Sequence, residues 1–300
     1  MSQVMLIAVD ADDTRAVAAA GHQWAQALGM RPVLVHALPD PPSPPSGDER
    51  LREEARDPAH ELLEVAAAAY PTTERRLIYG SPANAILDAA AEEDAQVVVV
   101  GNRGAGTIRA LLTGSVSREL VKEARIPVMV VPSTPTPTGG EGAANLPSRP
   151  SVLCGVATPQ RPDQCISTAA AISEQAGLRL VLAHVTVPVE SFTPKTEREE
   201  RQGERLEEAV AAAHAASGGD LDVTTQVVSG DPAQELRVMA SRTAARLMVV
   251  GANGKGALEA TFLGSVSQEL LGTSPSPVLV VPPGTGLAPN RAHTGYAPAA

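Results

Sequence analysis

Short unbroken apolar runs recur along the chain, each followed by a longer segment whose apolar residues return every three or four positions. In the first half the runs are VMLIAVD, RPVLVHAL, TERRLIYG, AQVVVVG and PVMVVP; in the second they are SVLCGVA, RLVLAHVTV, DVTTQVVSG, ARLMVVG and PVLVVP. A run such as Val97–Val100, all valine, has no polar alternation, which predicts a strand covered on both faces as in a parallel sheet. The segments between the runs predict helices: ADDTRAVAAAGHQWAQALG, with Asp12, Asp13 or Thr14 as cap, and SPANAILDAAAEE, with Ser81 ahead of Pro82 at the first helical position. Strands alternating with helices predict an α/β fold with a doubly wound parallel sheet, formed twice.

The second half repeats the first. Val97–Pro132 aligned with Leu247–Pro282 without a gap gives 17 identities, and Tyr79–Ala90 faces Ser229–Ala240 upstream. So long a period means duplicated domains rather than a solenoid. Between the copies lies STPTPTGGEGAANLPSRP, too rich in Pro, Gly and Ser to bury apolar surface. The expected organisation is an N-terminal domain over 1–134, a linker over 135–149, a C-terminal domain over 150–284 and a loose tail over 285–300. PDPPSPPSGD (Pro39–Asp48) is expected as a loop after an early strand.

Glycines mark where chemistry would sit. Gly101 and Gly104 follow a strand directly, where they permit a sharp turn and a close approach to main-chain N–H groups. Gly114-Ser115-Val116-Ser117 precedes the amphipathic SRELVKEA, so its amides and hydroxyls fall at a helix N-terminus, which attracts anions. A loop and a helix start brought together in this way would hold a polyphosphate, with Arg103 and Lys255 as helpers. The same glycines would also serve tight turns and close helix packing alone. Neither a G-x-x-x-x-G-K-[ST] loop nor a G-x-G-x-x-G after the first strand is present, which argues against a P-loop NTPase and a dinucleotide dehydrogenase.

Charge narrows the partners. A net charge of -10 without a Lys/Arg stripe, and an aromatic content of 2%, argue against a nucleic-acid or anionic-membrane surface. The apolar run at the N-terminus is too short for a signal peptide and no run approaches the length of a membrane span, so a cytoplasmic location is expected. Two cysteines exclude a disulfide framework, and Cys154 in VLCGV is expected as a buried small hydrophobe.

In both halves the spacing, Gly101-x2-Gly104-x9-Gly114-Ser115 and Gly251-x2-Gly254-x9-Gly264-Ser265, matches the signature of universal stress proteins, and the chain resembles the tandem type of that family. The resemblance implies two five-stranded parallel sheets of order 3-2-1-4-5, ATP (with Mg2+) bound at the strand tips, and pairing of the final strands between domains. It also implies a stress-response role. On the residues of this chain, Ala8, Val9 and Asp10 would meet ribose or phosphates and the backbone at Ala37 would meet adenine. Val100, Gly101, Arg103 and Gly104 would line the ribose and phosphate path, and Gly114, Ser115, Val116 and Ser117 would take the phosphates. Val185, Val250, Gly251, Gly254, Gly264, Ser265, Val266 and Ser267 fall on the same positions in the second copy. There Ala157 replaces the carboxylate of Asp10, which predicts a weaker second site.

Other residues invite plainer readings. His36 and His184 end equivalent strands without metal-ligand companions and are expected to cap the strand ends. The serines of the signature lack a partnered base, so phosphate contact is favoured over nucleophilic roles. Glu197–Val210 is expected as a solvated helix face and Trp24 as a packed core residue. The function expected is adenine-nucleotide binding by a regulatory protein with no catalytic residue, an unidentified protein partner and a homodimer open as an assembly. A slow ATPase or phosphotransfer enzyme using Asp10 and Ser117, and an interaction module without nucleotide, stay as alternatives.

Overall fold

The computed structural model describes residues 3–40, 49–102, 115–133, 149–157, 164–187, 195–217, 220–252 and 263–287. The chain divides into two compact units, Met1–Ser133 and Thr134–Ala300. No helix among the described residues is long and apolar enough to cross a membrane.

In the first unit the elements run β1 (Val4–Ala8), α1 (Thr14–Ala27), β2 (Arg31–Leu38), α2 (Glu49–Ala67), β3 (Glu74–Tyr79), α3 (Pro82–Glu92), β4 (Ala95–Gly101), α4 (Ser115–Glu123) and β5 (Val128–Val131). Strand order is β3-β2-β1-β4-β5, with every pairing parallel. The register opposes Leu6 to Val33 on one side of β1 and to Val98 on the other, so the most apolar strand is central. Met5, Leu6, Ile7, Val33, Leu34, Val35 and Val97–Val99 are fully buried, which accounts for strands that show no polar alternation. Helices α1 and α2 pack together, as do α3 and α4. One glycine sets a distance here: a Cβ on Gly21 of α1 would lie 2.7 Å from Cδ1 and Cγ1 of Ile7, so only glycine lets α1 close on β1. Trp24 of the same helix is buried, as expected.

The second unit repeats the plan with β6 (Ser151–Gly155), α5 (Gln164–Ala176), β7 (Arg179–Thr186), α6 (Lys195–Ser217), β8 (Val223–Ser229), α7 (Pro232–Arg242), β9 (Ala245–Gly251), α8 (Ser265–Thr273) and β10 (Val278–Val281). The order β8-β7-β6-β9-β10 is again 3-2-1-4-5 within the unit, all parallel. Cys154 is fully buried in β6, and Cys165 is buried in α5. On α6, Glu204, Glu207 and Glu208 are exposed while Leu206 and Ala209 are buried, the amphipathic helix that the charge pattern predicts.

Three details differ from expectation. Strand β1 ends at Ala8 rather than Asp10, although the Val9 N–H still donates to the Val35 carbonyl at 3.0 Å. Asp13 is the N-cap residue of α1, but its side chain does not cap; instead Thr14 Oγ1 donates to the Asp10 carbonyl at 2.5 Å. Finally, the start of the expected loose tail is packed: Leu287 is buried and its N–H donates to Thr168 Oγ1 of α5 at 3.2 Å. An apolar side chain within reach of a buried hydroxyl overrides the Gly/Pro composition around it. The loop 41–48, the linker 134–148 and the tail 288–300 lie outside the described residues.

Candidate functional site at the strand tips

In the order 3-2-1-4-5 the chain leaves β1 toward one edge of the sheet and leaves β4 toward the other, so the carboxyl ends of β1 and β4 open a crevice. A cleft of about 100 Å³ lies there in the first unit. Its walls come from five elements: Val9 and Asp10 after β1, His36 and Ala37 on β2, Pro82 and Ile86 on α3, Val100 and Gly101 on β4, and Val116 and Ser117 on α4, with Ala8 and Asp13 completing them. Every expected N-terminal site residue within the described part of the chain lines this cleft except Ser115, which is exposed at the start of α4. Arg103, Gly104, Gly114 and Gly254 lie outside the described residues.

Local chemistry fixes the walls. The Asp10 Oδ1 accepts the Ala11 N–H at 2.8 Å, which holds the carboxylate at the mouth. His36 Nδ1 lies 2.8 Å from the Val9 carbonyl. A carbonyl only accepts, so Nδ1 carries the proton and the ring ties the end of β1 to β2. His184 repeats the contact on Val156 at 2.9 Å, so both histidines cap strand ends as their sequence positions predict.

Sequence reasoning missed Asp13, Pro82 and Ile86 as cleft residues, and expected His36 only as a strand cap. Pro82 and Ile86 are four apart on a helix and share a face, a signal that was available. Asp13 is the larger surprise. A Cβ on Gly101 would overlap its carboxylate, whose three heavy atoms are the nearest to that position. The bare backbone at Gly101 therefore accommodates a protein carboxylate, where the sequence suggested room for a ligand. Asp13 also borders a larger open hollow of about 560 Å³ beside Thr14, Arg15, Pro58, Leu62 and Val65, so it stands as the wall between the two spaces.

In the second unit, Ser265, Val266 and Ser267 repeat the exposed, half-buried and buried sequence of Ser115, Val116 and Ser117. Val250 is buried at the end of β9, Gly251 and Val185 are half-buried, and Ala157 is exposed. Two donors that the resemblance assigns to phosphates are engaged within the chain: the Gly264 N–H bonds the Ala252 carbonyl at 2.7 Å and Ser267 Oγ bonds the Gly251 carbonyl at 2.6 Å. A hydroxyl has one proton to give, so Ser267 ties α8 to β9 in this conformation. Among the described residues no group of three or more His, Cys, Asp or Glu could hold a metal ion.

The profile of the universal stress protein family matches residues 1–132 and 149–282, nearly all of both units. The chain belongs to the universal stress protein family. A universal stress protein of Mycolicibacterium smegmatis is 34% identical over 206 residues, covering 68% of this chain and 66% of its own length. One from Thermus aquaticus is 36% identical over 136 residues, 44% of this chain and 99% of its own length, so a single unit corresponds to that whole protein. Among solved structures, a universal stress protein from Archaeoglobus fulgidus aligns over 95% of this chain and all of its own, with a TM-score of 0.64 at 20% identity. That likeness speaks for the fold.

Proposed function

We infer that this universal stress protein binds an adenine nucleotide, ATP in the first instance, chiefly in its N-terminal unit, and works as a cytoplasmic regulatory protein that passes the bound state to a protein partner. The observation that carries this reading is the cleft itself. Residues from positions 8 to 117, chosen on glycine spacing and family resemblance, gather around one crevice at the switch point of the sheet. Apolar walls from Val9, Ile86, Val100 and Val116 suit a flat base, and the main chain at Ala37 offers an N–H and a carbonyl to its edge. The helix start at Ser115–Ser117 supplies amides for phosphate, and magnesium would arrive as the counter-ion of the phosphates.

The second unit would bind more weakly, because Ala157 offers no carboxylate where the first unit has Asp10. We expect any turnover to stay far below about 1 per second. The test is to purify the protein without added nucleotide, denature it, and quantify released adenine nucleotide per chain by mass spectrometry. About one nucleotide per chain, lost in Asp10→Ala, supports the reading. None, with no uptake from millimolar ATP and magnesium, leaves the fold standing and favours an interaction module.

A further inference from the structure

The two units carry different residues on equivalent edge strands. Strand β3 closes the sheet of the first unit with three charges, each ion-paired: Glu74 with Arg31, Arg75 with Glu64 and Arg76 with Glu92. Its counterpart in the second unit is β8, where Thr224, Thr225 and Gln226 stand at those positions and the whole strand, VTTQVVS, holds no charge. Charged side chains on an edge strand discourage pairing with another chain, and β8 lacks that protection. Among the described residues β7 alone pairs with β8, and Thr225, Val227 and Ser229 are exposed, Val227 at 45%.

The ladder to β7 shows which main-chain groups of β8 point away from it. The Leu180 N–H donates to the Asp222 carbonyl at 2.8 Å, and the Gly230 N–H donates to the Thr186 carbonyl at 3.0 Å. Successive residues of a strand turn their N–H and C=O groups to opposite edges, so Thr224, Gln226 and Val228 also face β7. Val223, Thr225, Val227 and Ser229 therefore face outward. An antiparallel copy of β8 centred on Gln226 sets Thr225 against Val227 and Val223 against Ser229. Every outward residue then meets an outward residue, and each such pair exchanges both N–H···O bonds. Gln226 meets its own copy on the two-fold axis as a non-hydrogen-bonded pair, where the side chains lie close and one amide can donate to the other.

We propose that β8 is a dimerisation edge, taking the β8 of a second copy of this chain in antiparallel pairing. The contact is isologous and closes after two chains. A seam of two strands is a small interface, and each chain carries a net charge of -10, so the dimer is weak, forming at roughly tens of micromolar.

Sedimentation equilibrium of the full chain, over a concentration series spanning that range, should show monomer passing to dimer and no further. Hydrogen exchange read at single amides by NMR should slow with concentration at Val223, Thr225, Val227 and Ser229, while the amides of β3 stay unchanged. Gln226→Lys and Gln226→Glu should each weaken the dimer about fivefold, because like charges then stand opposite each other, and an equimolar mixture of the two should restore it. Monomer at every concentration, growth beyond a dimer, or a dimer that leaves the β8 amides unchanged overturns the proposal. So does a mixture of folded variants that pairs no better than either alone. The exchange series needs no variant, so it decides the matter even where a substitution at Gln226 folds poorly.

Discussion

The carboxylate of Asp13 fills the space that a Cβ on Gly101 would need, which couples the cap of α1 to the tip of β4 across the cleft. Gly101 is not among the glycines with positive φ, so alanine is acceptable there to the backbone, and the nearest atoms that oppose it belong to the Asp13 carboxylate. We expect Gly101→Ala to cost about 1–3 kcal/mol in the wild-type background, toward the low end if Asp13 swings into the adjoining hollow. In an Asp13→Ala background the same change should be neutral or stabilise by up to about 1 kcal/mol, since alanine restricts the unfolded chain. Urea unfolding of the four proteins of this cycle measures the coupling, and equal costs in both backgrounds would show that the two residues do not interact.

This pair also marks the limit of what could be read from the chain. The valine runs disclose β4 and the doubled fold because burial on both faces leaves its trace in each residue of the run. The glycine spacing discloses most of the cleft, since Gly101, Val116 and Ser117 belong to one connected segment. Asp13 was legible only as a helix cap, because its contact with Gly101 joins a β1–α1 turn to a strand far along the chain, and no local pattern records such a meeting. Leu287 was hidden differently: Gly and Pro around it report a breaker of regular structure, which is not the same thing as an unpacked segment.

Buried His22 gives the first unit an acid-sensitive point. Its ring stacks on Tyr70 at 3.7 Å, with Nδ1 2.7 Å from the Ala18 carbonyl and Nε2 2.8 Å from Thr73 Oγ1. The carbonyl places the proton on Nδ1, so Nε2 accepts from the Thr73 hydroxyl in the neutral ring. Burial lowers its pKa, only partly offset by the bond to Ala18. The unfolded chain therefore binds the proton more readily: stability is full above the unfolded pKa of about 6.5 and falls as pH drops below it, until the folded pKa is reached. Unfolding at pH 7.5 and pH 5.5 should show a loss that is smaller in His22→Gln, and the same loss in both proteins would assign the acid sensitivity elsewhere.

Glu93 should act over a lower pH range. It accepts from Arg31 Nη2 at 2.7 Å and from Arg76 Nη1 at 2.5 Å, while Glu74 and Glu92 hold the other terminal nitrogens of those two arginines. The Arg31 hydrogen bond, reinforced by Arg76, brings the Glu93 pKa below the usual carboxylate range. Its contribution is present above the unfolded pKa of about 4.3 and is lost as pH falls through the folded value. Because the arginines are partly exposed, Glu93→Gln should cost only about 1 kcal/mol at pH 7 and progressively less as pH falls through the folded value. Denaturant curves across an acid pH series check the decline, and a cost that does not diminish in acid would point to packing rather than charge.

The duplication supplies the last test, because it repeats a backbone irregularity with different residues. Between the third helix and fourth strand of each unit one non-glycine residue takes a positive φ: Asp94 at 49° and Ala244 at 50°. Aspartate tolerates this region through local hydrogen bonding, whereas alanine sets its Cβ against the backbone and pays about 1–2 kcal/mol. The turn is fixed around it, since the Ala244 N–H meets the Ser241 carbonyl at 3.4 Å and the Ala244 carbonyl accepts from the Ser151 N–H at 3.3 Å. Ala244→Gly should therefore stabilise the second unit by about 0.5–1 kcal/mol, the relief of strain exceeding the greater freedom that glycine gives the unfolded chain. Asp94→Gly should change the first unit by less, because aspartate is already suited to the conformation. Thermal unfolding of both variants makes the comparison, and destabilisation by Ala244→Gly would mean that the turn gains more from the methyl group than its φ costs.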